Sequence, residues 1–537
     1  MTKTPKASND PHLRARLSKI RYILWLRGAS HMLYGVILAT ILNCSLALAV
    51  EDIALPVLGD SGAGLMSSAE EHALGQAWLR SFRAGVPLNS DPLIFEYLEH
   101  LLFQLASQSE IDNPRLDLVL VDNPTINAFA VPGGVVGVHT GLITSAQTEA
   151  QLASVLAHEL AHLSQRHFAR SVEAAKRANV ASIAGMLAGI ILAATAGGDA
   201  ATAAIATSQA VAIDSRLRYS RIHEREADRI GMQTLVNSGY PANAAANMFR
   251  QMQDASRLYG EGIPEFLRTH PVTESRIADA ENRARTVEAI NPISDIDYQI
   301  IRARVAVLNG KEPNQLIKKF KFALEQSGIH QSNTGINKTT NNTKPFADSH
   351  KNRATVEARL NADRYGLAMA YNKNGQWKKA RATLQPMLQQ LPGRIAYSLL
   401  DVEIDLTAGK LELAEKRLRD LYAITPNNYA ISMLLADTLL KNKNYATAQQ
   451  VLEKLSKVRP KQADVWYLLA ETQGLAGDIL NLHLSRAEFF LLRGNFLQAR
   501  KQLNFALKIA GNDFQISARI KQRLLDTERI RQITEQL

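Results

Sequence analysis

Apolar residues recur mostly every three to four positions along this chain, the spacing of one helix face. Leu93, Phe95, Leu98, Leu101, Leu102 and Leu105 follow it, so residues 62–110 read as helical. Asp117-Leu118-Val119-Leu120-Val121 breaks the rhythm with a short apolar run and reads as a strand. Asn127–Val131 and Val135–His139 flank Pro132-Gly133-Gly134, a strand pair joined by a tight turn. Thr148-Glu149-Ala150-Gln151 is a capping box that opens a helix to about Gln165. Ser220 to Asn237 reads as another helix, stopped by Ser238-Gly239. The first half is therefore mainly α with a small β-sheet.

The second half is all-α and periodic. Ala380, Ala414 and Ala448 lie 34 residues apart, and so do Pro392, Pro426 and Pro460. Gly375 and Gly409 match, and Trp377, Leu411 and Tyr445 fill one equivalent position. This period, with small residues at helix contacts and a closing proline, is the signature of a tetratricopeptide solenoid. Gly494-Asn495-Phe496 and Ala499 restate the landmarks, but Ala448 to Ala499 is 51 residues, one repeat and a half, which predicts an inserted helix. Residues 327–349 are rich in Asn, Thr, Ser and Lys and read as a disordered linker. The expected domains are 1–49 (leader), 50–290 (catalytic), 291–326 (helical connection), 327–349 (linker) and 350–537 (repeats).

Composition narrows the function. The 537 residues are 46% hydrophobic and 21% charged, as in chains with real cores, which excludes a disordered, collagen-like or polytopic membrane protein. Six of the eleven net positive charges lie within residues 1–49, and the remainder has no dense basic run with interleaved aromatics, so nucleic acid is not an expected partner. The basic stretch precedes uncharged Met32–Ala49, ending Ala47-Leu48-Ala49, which reads as a secretory signal cleaved after Ala49. An uncleaved anchor and lipidation at Cys44 are the alternatives. Cys44 is the single cysteine, so a metal site here must use His and carboxylate. A second uncharged run, residues 180–198, suits a buried or surface-lying helical hairpin, or peripheral membrane contact.

The chemistry lies in His158-Glu159-Leu160-Ala161-His162. Histidines at i and i+4 share one helix face, so both imidazoles can reach one ion, and Glu159 beside the first can deprotonate a water. The stripe Leu152, Leu156, Leu160 and Leu163 buries the helix and leaves the two histidines on another face. A third protein ligand is needed. Glu224 and Asp228 are again i and i+4: one can bind the ion, the other can accept the outer N–H of a ligand imidazole. Spacing alone does not say which does which, and Glu226 is a rival. His139, His167 and His223 read as non-ligands, His167 because it lies five residues past His162 and off the ligand face.

H-E-L-A-H followed by E-R-E-A-D-R resembles the zinc metallopeptidase family of the HtpX and CAAX-protease type, whose pattern is H-E-x-x-H then E-x-x-x-D. With the leader, the Asn127-Ala128-Phe129 to Pro132-Gly133-Gly134 segment and the repeats, the chain is similar to periplasmic members that serve outer-membrane β-barrel assembly. The resemblance implies an α+β minigluzincin-like metallopeptidase domain holding one Zn2+ and followed by the solenoid. It places Glu224 as third ligand and Asp228 as the carboxylate behind a ligand imidazole, with Glu159 as catalytic base. Thr269-His270-Pro271-Val272-Thr273-Glu274-Ser275-Arg276 matches a T-H-P-x-x-E-S-R segment of the family. His270 can then take the ion's fourth position as a latch, or stabilise an oxyanion; Arg276 can steady that loop. Asn127, Ala128 and Phe129 form a strand edge on which a substrate peptide can add. Implied partners are unfolded or assembling outer-membrane proteins and, through the repeats, their assembly machinery, in the periplasm of a Gram-negative bacterium. The competing functions are a chaperone or scaffold with a latched, little-used site, and an inner-membrane protease, which needs 180–198 to span.

Overall fold

The computed structural model describes residues 66–177, 221–258, 265–288, 295–336 and 346–535. The leader with Cys44 and the 180–198 run lie outside the described residues. Among the described residues, no helix is long and apolar enough to cross a membrane.

Two helices come first, Ser68–Gly85 and Pro92–Ala106. Ser67 and Glu70 form a capping box on one, and Asp91 accepts from the Ile94 amide on the other, satisfying donors that a helix start leaves unpaired. Strands β1 (Asp117–Val121), β2 (Ala128–Val131) and β3 (Val135–His139) then form one sheet in the order β1-β3-β2. β1 runs parallel to β3, and β2 antiparallel to it. The β2–β3 turn uses Gly133 and Gly134 at φ of 81° and 88°, conformations that L side chains resist. Phe129 packs with Trp78 and Phe82 and lies across Gly137, where any side chain would strike its ring. β2 is thus an edge strand of the sheet, and all four of its residues are buried.

Behind the sheet runs the motif helix, Glu149–Ser164, opened by the Thr148–Gln151 capping box. It is buried continuously from Ala150 to His162, as a helix apolar on nearly all sides should be. The helix Arg221–Asn237 packs along it. Ala161 meets Ala227, and a Cβ added at Gly231 would sit 3.0 Å from the Ala157 carbonyl oxygen, so small residues set a close backbone approach.

The repeats are helix pairs with Ala380, Ala414, Ala448 and Ala499 fully buried at the fourth position of their helices. Between the helices Tyr445–Val458 and Phe496–Ala510 stand two helices, Ala463–Leu475 and Ile479–Leu492, where a regular pair leaves one. That is the inserted helix the 51-residue step predicts. Helices Pro313–Ile336 and Phe346–Lys373 run into the Asn/Thr-rich segment from both sides, leaving only 337–345 of the expected linker outside the described part. Once a helix is nucleated over buried Leu316 and Phe320, each further residue adds a hydrogen bond at little cost, which outweighs weak propensity.

The repeats do not hang free. Tyr429, Leu435 and Leu452 share one apolar core with Phe95, Leu98 and the motif helix. Glu96 accepts from Asn428 Nδ2 at 2.8 Å and from the Tyr429 amide at 3.1 Å, and Arg459 donates to Glu99 at 2.6 Å.

Candidate metal centre

Four elements converge behind β2. The motif helix brings His158, Glu159 and His162; Arg221–Asn237 brings Glu224 and Asp228; the short helix Glu265–Thr269 leads into His270; and Glu274–Thr286 brings Arg276. One ligand atom from each of His158, His162, Glu224 and His270 lies within 4.8 Å of every other, and all four residues are buried. His158 Nε2 is 3.0 Å from His162 Nε2 and 3.4 Å from His270 Nδ1. Glu224 Oε1 is 3.4 Å from His162 Nε2 and 3.0 Å from His270 Nδ1. A tetrahedral ion with bonds of about 2.0–2.1 Å separates its ligand atoms by roughly 3.3–3.4 Å, so this donor set fits such an ion.

The electrostatics agree with a cation there. Burial alone would lower His158, but Asp228 and Glu224 outweigh it and raise it to about 9. Burial alone would raise Glu224, yet His270, His158 and His162 hold it well below the ordinary carboxylate range. His162 is pushed down to about 3, chiefly by burial, and so presents a lone pair. The ionised carboxylates of Glu224 and Asp228 therefore favour positive charge in the cluster, beside a neutral His162.

Around this set the supporting groups are ordered. Asp228 Oδ1 lies 3.1 Å from His158 Nδ1, the atom turned away from the cluster. Arg276 grips Asp228 with Nε and Nη2, each at 2.7 Å, and its Nη1 reaches Glu224 Oε2 at 2.8 Å and the Pro271 carbonyl at 2.9 Å. That last bond ties the His270 loop to the centre. His270 stacks on Phe266 with ring centroids 4.7 Å apart, and its Nε2 lies 3.6 Å from Glu159 Oε1. Glu159 is fully buried, which raises its carboxyl above the ordinary value; His270 and His158 and the Ala130 amide of β2 act the other way.

Each residue singled out from sequence thus falls in or beside one cluster, except the strand residues. Asn127, Ala128 and Phe129 are buried, so none of them is open to a peptide in this state. His139 is buried against Thr125, away from the cluster. Sequence reasoning missed the neighbour of His162. His167 lies off the ligand set but its Nδ1 is 2.7 Å from His162 Nδ1. A continuous helix would have carried it away; instead the helix ends at Ser164, Arg166 turns the chain at φ of 50°, and a new helix starts on His167. No glycine marks this break, so the sequence carries no obvious signal for it.

Comparison with known proteins follows the same lines. The model of peptidase family M48 matches residues 92–284, and a tetratricopeptide-repeat model matches 405–472. The β-barrel assembly-enhancing protease of Yersinia pestis is 32% identical over 448 residues, covering 83% of this chain and 85% of that protein. The protein of the same name from Escherichia coli K12 is 29% identical, covering 84% and 86%. The bovine mitochondrial metalloendopeptidase OMA1 is 29% identical over 284 residues, 49% of each chain. The chain is therefore a metalloendopeptidase of peptidase family M48, carries tetratricopeptide repeats and belongs with the β-barrel assembly-enhancing proteases.

Proposed function

We propose that this chain is a zinc endopeptidase of the periplasm of a Gram-negative bacterium, acting in quality control and assembly of outer-membrane β-barrel proteins. The observation that carries the chemistry is the convergence of His158, His162, Glu224 and His270 beside the buried Glu159. His158, His162 and Glu224 would hold the zinc. Bound there, zinc supplies Lewis acidity toward the scissile carbonyl. Asp228 holds the outer nitrogen of His158, and Arg276 fixes Asp228. Glu159, its affinity for a proton raised by burial, takes the proton of the attacking water and delivers it to the leaving amine. β2 is an edge strand whose Ala130 amide acts on Glu159, and its main chain, buried in this state, is the line an extended peptide would join once uncovered. The repeats receive unfolded or partly assembled barrel proteins and their assembly machinery, a role supported by the likeness to β-barrel assembly-enhancing proteases. The leader supports export.

One observation favours a second state of the same protein. His270 Nδ1 stands among the ligand atoms and its Nε2 faces Glu159, in the space that water and the scissile carbonyl need. So placed, His270 latches the site, and the repeats can serve as a scaffold while cleavage is withheld.

The experiment is elemental analysis of the purified chain together with cleavage of an unfolded barrel protein. We expect one zinc per chain, and loss of at least about 100-fold in turnover for Glu159→Gln, the scale of general-base catalysis. Absence of stoichiometric metal, or full cleavage by Glu159→Gln, would refute the enzyme reading. Normal zinc content in Glu224→Ala would remove Glu224 from the ligand set.

A further inference from the structure

The two ligand histidines of the motif helix are not supported alike. His158 has a carboxylate directly behind it, Asp228 at 3.1 Å. Behind His162 stands another imidazole. His167, fully buried, places Nδ1 at 2.7 Å from His162 Nδ1 and Nε2 at 3.2 Å from Glu226 Oε2. Arg170 donates to the same Glu226 oxygen at 2.9 Å, and the His223 ring stacks on His167 at 4.4 Å with an interplanar angle of 11°.

Hydrogen-bond roles along this chain are forced from its outer end. An ionised carboxylate only accepts, so His167 Nε2 must carry the hydrogen. In a neutral imidazole the other nitrogen then accepts, so His167 Nδ1 takes its hydrogen from His162 Nδ1. His162 is thereby left with its lone pair on Nε2. That is the atom 3.0 Å from His158 Nε2 and 3.4 Å from Glu224 Oε1, inside the ligand cluster.

We propose that His167 and Glu226 form a positioning relay for the metal centre, fixing the tautomer and ring orientation of His162 through a second imidazole. Glu226, a rival ligand on spacing alone, serves the centre from two residues away. Supports of this kind typically change metal affinity by about 10–100-fold. The relay rests on the reading of the cluster as a zinc centre.

Three variants test it by zinc affinity, measured by chelator competition on the full chain, with melting of the metal-free protein alongside. His167→Phe keeps the ring stack but accepts nothing; we expect zinc to bind about 10–100-fold more weakly. His167→Gln can accept from His162 with its carbonyl oxygen and donate to Glu226 with its amide, and should recover most of that loss. A merely structural role predicts the opposite order, because Phe preserves the packing better. Glu226 is partly exposed, so Glu226→Ala tests the outer end without opening the core, and should weaken zinc binding several-fold. Wild-type affinity in His167→Phe, or equal losses in His167→Phe and His167→Gln, overturns the relay. If His167→Phe fails to fold, wild-type affinity in Glu226→Ala overturns it. A wild-type chain that binds no zinc would refute the centre itself, whereas tight binding by wild type and all variants refutes only the relay.

Discussion

Gly231→Ala isolates the link between helix packing and the centre. Gly231 lies on the helix that carries Glu224 and faces the helix that carries His158. An added Cβ would sit 3.0 Å from Ala157 O, His158 N and His158 Cα, all main-chain atoms that no rotamer change can move. Such contacts are tighter than real Cβ atoms ordinarily make, so the two helices must part by a few tenths of an ångström. Helix propensity alone predicts a gain of about 1 kcal/mol for Gly→Ala. Overpacking costs about 1–3 kcal/mol, so the net change is a loss of up to about 2 kcal/mol. The centre should suffer more than the fold. Metal–ligand distances tolerate about 0.2 Å, and the helices that part carry His158 and Glu224, two residues that would hold the ion. Zinc affinity should therefore fall at least about tenfold, equivalent to about 1.4 kcal/mol. Chelator competition reads the affinity, and thermal melting with and without zinc reads the fold. Unchanged zinc affinity together with an equal or higher melting temperature would show that the helix contact does not set the ligand geometry.

Two further perturbations lie outside the centre. His139 is buried beside Phe129, and burial pushes it down to about 4. The unfolded chain takes up its proton near pH 6.5 while the fold holds the ring neutral to about 4, so stability is lost as pH falls through that window. The loss between pH 7 and pH 5 should be about 2 kcal/mol by linkage, and His139→Gln should abolish that component of the pH dependence of chemical denaturation; an unaltered pH profile would contradict it. Lys443 takes φ of 60° at the turn where Gly375, Gly409 and Gly477 stand in other repeats. Lys443→Gly should raise the stability of the repeats by up to about 1 kcal/mol, visible in urea melts, because a left-handed L residue costs about 1–2 kcal/mol and glycine gives back part in chain entropy; a loss would mean that Lys443 makes a compensating contact.

What could be read from the sequence was local or periodic. The capping box at Thr148, the i, i+4 pairs His158/His162 and Glu224/Asp228, and the turn at Gly133-Gly134 each depend on residues a few positions apart. The 34-residue step and its 51-residue exception gave the repeats and the inserted helix for the same reason. What stayed hidden depends on distant or irregular backbone. His167 reaches His162 only because Arg166 breaks the helix, in a conformation no residue there advertises. Phe129 alternates with its neighbours as an edge residue should, yet its ring fills the space over Gly137. The helical reach into the Asn/Thr-rich segment reflects cooperativity, which composition does not report.

The least legible feature joins the two halves of the chain. Glu96 is buried, and its carboxylate is satisfied by Asn428 and the Tyr429 amide, more than 300 residues away. Arg459 reaches Glu99 at 2.6 Å and lies over the Tyr429 ring at 5.0 Å. Lys461 reaches both oxygens of Asp117 on β1 at 2.9 Å, and Arg304 joins Asp91 at the start of Pro92–Ala106 to Glu403 in the repeats. Were the repeats a tethered arm, undocking would have to rehydrate the Glu96 carboxylate and the Tyr429 amide and expose Phe95 and Tyr429, which stack edge to face at 6.1 Å. Leaving such a buried group without its partner costs about 1–3 kcal/mol, and each large side chain exposed adds about 1.5–3 kcal/mol. The docked state therefore dominates, and the helix that carries the dock shares its core with the motif helix. Whatever the repeats hold is thus held at a fixed place relative to His158 and Glu159, so the repeat array and the metal centre work as one body.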